Sequence, residues 1–228
     1  AWTEDQPDDE ARAEGLLLRA RWLALSGDWA AADAALEEAI GLVPARAADY
    51  IEAHLRTLDR RVDRRAGLAL AERLVPLRDD ASPARRAHAL LLRGRARSLV
   101  RDNAGASADA DAALALVGAG IDAAQARVLL GFSALRGGER ARAADAFEAA
   151  RTALETLAPG SLELGAVLAQ QATLAGISGA DDTLARFETA LALLRVLASD
   201  LPLLGTTTMN AHLMAMQRRR FDAAEAYA

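Results

Sequence analysis

The sequence contains no cysteine and no lysine, has three histidines, and draws only 4% of its 228 residues from the aromatics. Without cysteine, disulfides, Cys-ligated zinc, iron–sulfur clusters and a thiol nucleophile are excluded. No apolar run approaches the roughly 18 residues of a membrane-spanning helix, so no membrane partner is expected. No basic-then-apolar leader opens the chain, and a cytoplasmic location is the expectation. Val, Ile and Thr are sparse and strict alternation is missing, which argues against strands. The histidines, His54, His88 and His212, fall in no HExxH or similar spacing, so they read as helix residues rather than metal ligands. Asp79-Asp80 and Asp181-Asp182 precede helical patterns, where acids cap N-termini. Gly118-Ala-Gly120 and Gly137-Gly138 are turns between helices rather than phosphate loops: no strand precedes them and no Lys follows. No serine sits in a GxSxG setting. Neither an enzyme nor a cofactor is expected.

What is present is alanine and leucine, the best helix formers, within a chain that is 52% apolar. The reading is all-α. All 27 basic residues are arginine, which with the alanine load points to a GC-rich, bacterial genome. The net charge is −5, but it is unevenly placed. Residues 51–101 hold 13 Arg against 6 acids, while the rest holds 14 Arg against 26 acids. Such a basic middle either solvates helix faces or attracts an acidic partner.

The stretch LALSGDWAAADAALEEAIGLVP, Leu23 to Pro44, shows the design. Leu16, Ala20 and Leu23 fall at i, i+4 and i+7 on one helix face. Gly27 stops that helix and Asp28 caps the next. Ala32, Leu36 and Ala39 repeat the spacing, with small residues that let helices approach, and Pro44 ends the unit. The product is two antiparallel helices of about 14 residues joined by a tight turn. The design recurs. Residues 122–157 carry Gly131, the Gly137-Gly138 turn, and Ala143, Phe147 and Ala150. A further copy begins near 201, where Phe221 and Ala224 match Trp29 and Ala32. LLLRGRARSLV at 90–100 echoes LLLRARWLAL at 16–25, and Asp111-Ala-Ala-Leu114 echoes Asp33-Ala-Ala-Leu36. Residues 46–76 and 161–198 are helical with poor register. The total is about six copies.

Leu16, Ala20, Trp29, Ala32, Leu36, Ala39 and Pro44 follow the large, small, aromatic and proline positions of one repeat. On these residues the chain resembles the tetratricopeptide repeat (TPR) family. Gly131, Ala143, Phe147 and Ala150 follow the pattern again, with Arg140 in place of an aromatic. The resemblance implies a right-handed superhelix, an α-solenoid of about six antiparallel helix pairs with the last truncated. Residues 1–12 are expected as an acidic, flexible N-terminus and 13–228 as one repeat domain. Later copies exceed the usual ~34 residues, up to about 40, as in bacterial signalling proteins such as peptide receptors and large transcription activators. The stop at Ala228, about two turns into a helix, gives the expectation of a fragment, with a last helix completed by a partner as the alternative.

In the resembled family the concave groove is lined by the first helix of each pair. That places Glu14, Leu17, Arg21, Ala24 and Leu25 there from the first copy. The second contributes Asp49, Glu52, Arg56, Asp59 and Arg60, and the third His88, Leu91, Arg95, Ser98 and Leu99. Arg21, Arg56 and Arg95 then form a ladder able to grip carboxylates, unless acids such as Glu14 and Glu52 neutralise it. Further along, Val128, Phe132 and Leu135, then Met209, Leu213 and Met216, make the groove apolar. The leading reading is a non-enzymatic scaffold that binds a protein or peptide, acidic with apolar anchors, as the sensor or assembly part of a larger regulatory protein. A second reading is self-association into a homo-oligomer through the C-terminal helices. A third is nucleic-acid binding by the Arg-rich middle, against which stand the negative net charge and the lack of interleaved aromatics.

Overall fold

The structure, a computed structural model, describes residues 8–57, 61–197 and 202–227. It is all-α, with twelve helices and no strand among the described residues. Six consecutive pairs account for them: α1 (Asp9–Ser26) with α2 (Trp29–Leu42), α3 (Ala47–Leu55) with α4 (Arg64–Leu74), α5 (Pro83–Leu99) with α6 (Asn103–Leu116), α7 (Ile121–Arg136) with α8 (Arg140–Leu157), α9 (Leu162–Ile177) with α10 (Thr183–Leu197), and α11 (Pro202–Gln217) with α12 (Phe221–Glu225). The chain divides into two compact units, Ala1–Leu116 and Val117–Ala228, so the span 13–228 expected as one domain holds two packing units of three pairs each. Within the first, α1 lies on α3 and α3 on α5; within the second, α7 lies on α9 and α9 on α11. In each unit the first helices of successive pairs are therefore neighbours.

Local chemistry explains the boundaries. Gly27 takes φ +90°, a left-handed conformation natural to glycine, and its N–H closes α1 on the Ala24 carbonyl. Asp28 Oδ1 then accepts from the Ala31 N–H at 3.1 Å and starts α2. The same i to i+3 cap recurs at Asp8, Asp63, Asp102 and Ser161. Ser82, rather than the Asp79-Asp80 pair, caps α5. Asp182 turns its carboxylate to Arg186 at 2.9 Å. The cap at Asp8 starts α1 at Asp9, inside the stretch 1–12 given to an acidic tail; residues 1–7 lie outside the described residues.

Small residues set the packing. Ala32, Leu36 and Ala39 are fully buried, as are Ala143, Phe147 and Ala150. Phe147 fits because Gly131 faces it: a Cβ at Gly131 would stand 2.6 Å from the ring. Burying such a side chain contributes about 1.5–3 kcal/mol. In the third pair the buried triplet is Ala106, Ala110 and Ala113. The echo of Asp33 by Asp111 is therefore one helical turn late. Counting from the LLLR match, Ala110 stands where Leu36 does, and Leu114 is only half-buried.

Candidate functional site

An open cleft of about 610 Å³ lies between α1 and α3 in the first unit. Glu14, Leu17, Leu18, Arg21 and Leu25 line it from α1, where their spacing puts them on one broad face. Ala53, His54, Arg56 and Thr57 line it from α3 and the turn that ends that helix. Thr57 Oγ1 donates to the His54 carbonyl at 2.8 Å, which closes α3 and fixes where Arg56 emerges. Leu18 is 70% exposed and Leu25 half-exposed, so the cleft offers apolar surface beside two guanidinium groups.

The acids near those arginines are engaged elsewhere. Glu14 lies 3.5 Å from Arg46, which also approaches Glu10 and Asp49. Asp49 and Glu52 both accept from Arg78, at 2.6 and 2.9 Å, and Glu52 faces His88 at 3.5 Å. Neither Arg21 nor Arg56 has a hydrogen-bond or ion-pair partner among the described residues.

Behind the cleft wall sits a buried polar cluster. His54 and Arg61 side chains are each 3% exposed. His54 Nε2 stands 3.1 Å from Asp33 Oδ1, and Arg61 holds both oxygens of the same carboxylate. Arg61 also donates to the Asp63 carbonyl at 2.9 Å and lies over the Trp29 ring at 5.4 Å. Burial alone would raise the Asp33 carboxyl, but the hydrogen bonds and charge of Arg61, with His54, hold it below its ordinary value. Burial lowers His54, and the Arg61 charge adds to that against the opposing pull of Asp33. The ring is therefore neutral near pH 7, and it donates from Nε2 because an ionised carboxylate can only accept.

The remaining residues singled out from sequence are dispersed. Arg95 is exposed on α5 but does not line the cleft with Arg21 and Arg56. Arg60 lies outside the described residues. In the second unit Val128, Phe132 and Leu135 are partly buried against the core. Phe132 packs edge-on to Phe147 at 5.5 Å and carries Arg136 over its ring. Met209, Leu213 and Met216 form an exposed stripe along α11, Met209 being 63% exposed. Thr206–Thr208 lie within α11, where Thr207 and Thr208 bond back to the Leu203 and Leu204 carbonyls.

Sequence reasoning read His54 as a helix residue, which it is, but did not place Leu18 in the cleft or join His54 to Asp33 and Arg61. Leu18 was legible as an apolar residue four before Trp22. Nothing in the sequence joins Asp33 to Arg61, 28 residues on. Among the described residues no group of three His, Asp or Glu could hold a metal ion, and no helix is long and apolar enough to cross a membrane.

No protein-family model matches the chain, and no curated protein sequence matches it. Solved structures match it in fold. BtubC (BKLC) from P. vanneervenii superposes with a TM-score of 0.67 at 15% identity, covering 98% of this chain and 89% of that one. MamA 41-end from Desulfovibrio magneticus RS-1 gives 0.60 at 15% identity, covering 82% and 98%. Another MamA crystal structure gives 0.56 at 19% identity, covering 78% and 95%. The chain thus has a TPR-like helical-repeat fold of the solenoid class.

Proposed function

We propose that this chain is a non-enzymatic scaffold whose α1/α3 cleft binds a protein segment that is acidic with apolar anchors. One observation carries the reading: Arg21 and Arg56, neither with a hydrogen-bond or ion-pair partner among the described residues, share a cleft with exposed leucines. Guanidinium groups grip carboxylates in two-pronged fashion, and an exposed apolar wall accepts an anchor side chain. The half-buried Val128, Phe132 and Leu135 act chiefly as support for the core. A role as the sensor or assembly part of a larger cytoplasmic regulator agrees with this binding mode.

The ion pairs weigh against the nucleic-acid reading. Of the arginines in 51–101, Arg61, Arg73, Arg78, Arg93 and Arg97 are held by Asp33, Glu37, Asp49 with Glu52, and Asp109. Self-association keeps one specific support, the exposed Met209, Leu213 and Met216 stripe with Phe221 beyond it. A rise of mass with concentration that a Met209/Met216→Ser variant abolishes would favour that second reading.

The test of the first uses calorimetry with an acetylated, amidated Leu-Glu-Leu-Glu-Leu peptide and its glutamine counterpart. Each charged hydrogen-bonded contact is worth about 1.5–3 kcal/mol, so Arg21→Ala/Arg56→Ala should weaken binding by at least about tenfold. Affinity should also fall with salt, as screening requires. Equal affinity of wild type and the double variant, both folded by circular dichroism, would exclude the cleft.

A further inference from the structure

The cleft wall holds one ionisable ring that the arginines leave without a role. We infer that His54 is a third anion-recognition group of the cleft, acting in its protonated form, so that an acidic ligand binds with uptake of a proton. This rests on the binding reading above.

The charges around the ring are these. From α1, Glu14 and Arg21 share its cleft; from α3 itself, Arg56 does. From α2, Asp33 meets Nε2 at 3.1 Å, and both oxygens of that carboxylate are also held by Arg61. The Pro44–Arg46 turn presents Arg46, turned to Glu10 and Glu14. The Pro76–Arg78 turn presents Arg78, bound to Asp49 and Glu52. On α5, His88 faces Glu52; on α4, Arg64 donates to the Leu99 carbonyl and Arg73 to Glu37.

Asp33 and Arg61 cancel, and Arg46 balances Glu14. Among the described residues the free cleft therefore owes its positive charge to Arg21 and Arg56. A proton on His54 would add a third positive charge in a wall shielded from water, beside Arg61, with no new negative partner. An acidic segment in the cleft supplies that partner. Protonation and binding then favour one another by the same factor. The side chain is 3% exposed, so water screens this coupling weakly.

The probe is the Leu-Glu-Leu-Glu-Leu peptide, whose carboxyls stay ionised from about pH 7.5 to about pH 5.5. Its affinity is measured across that interval for wild type, His54→Gln and His88→Gln. Glutamine keeps an N–H donor for Asp33 but does not titrate. Wild type and His88→Gln should bind at least about fivefold tighter at the acid end, and His54→Gln should show no change. Binding by wild type with no pH slope, or a slope retained in His54→Gln, overturns the inference and leaves the binding reading intact. No binding at either pH overturns both. Should His54→Gln not fold, NMR titration of the His54 ring in wild type decides. Its midpoint should rise with the peptide present and stay put with the glutamine counterpart; an unmoved midpoint under saturating acidic peptide overturns the inference.

Discussion

Replacing Asp33 by Asn removes a charge while keeping the side chain's shape, and the cost follows from what surrounds it. Arg61 is buried to 3% exposure with both Asp33 oxygens as its partners, and among the described residues its other polar and ring contacts are the Asp63 carbonyl and the Trp29 ring. The variant leaves that guanidinium charged and without a counter-ion. Breaking one side of a buried pair costs about 3–5 kcal/mol. Asp33 is itself 31% exposed, so water reaches the vacated position and the low end applies, about 3 kcal/mol. Urea unfolding followed by fluorescence measures this, with Trp2 and Trp22 changed to Phe so that Trp29 reports on the first unit. A second substitution, Arg61→Met in the Asp33→Asn background, removes the stranded charge and should recover most of the loss. A loss for Asp33→Asn below about 1 kcal/mol would refute the reasoning, because it would mean Arg61 needs no counter-ion where it lies.

Stability of the first unit should also fall on acidification. His54 is lowered in the folded state, so the unfolded chain takes the proton first; stability is full above the unfolded value of about 6.5 and declines as pH falls below it, until the folded ring titrates. His54→Gln should flatten that step in denaturation curves, leaving the Asp33 loss, which begins as pH drops through the ordinary carboxylate range. Gly131→Ala should lower stability by about 1–3 kcal/mol in the second unit, because its Cβ would meet the Phe147 ring at 2.6 Å; thermal unfolding checks it, and an unchanged midpoint would show that the ring gives way. Gly27→Ala, which forces a Cβ into φ +90°, should cost about 1 kcal/mol by the same assay.

Most of the fold was legible because helix capping and helix spacing act over a few residues. Gly27-Asp28 stopped one helix and started the next as expected, and the Ala-Leu-Ala and Ala-Phe-Ala triplets are buried where their spacing put them. All six pairs were anticipated, including the poorly patterned 46–76 and 161–198. The third pair misled because alanine fills a leucine position: with Ala110 in the core, the nearby leucine drew the register one turn late. The division at Leu116 was not foreseen, since it depends on which helices pack together rather than on any local signal.

The candidate site was legible in part as geometry. The family spacing placed Arg21 and Arg56 on facing first helices, and both line one cleft. Whether acids would neutralise them could not be read from sequence, because the deciding partners of Glu14 and Glu52 are Arg46 and Arg78, in turns that sequence spacing does not position. The His54–Asp33–Arg61 cluster was invisible for the same reason.

The most direct measurement is an amide NMR perturbation map of the ¹⁵N-labelled protein on addition of the Leu-Glu-Leu-Glu-Leu peptide. The account predicts shifts centred on Leu17, Leu18, Arg21 and Leu25 of α1 and on Ala53 to Thr57, and their loss in Arg21→Ala/Arg56→Ala. Shifts confined to Met209–Met216 on α11, or shifts in the first unit that the double variant retains, would contradict it.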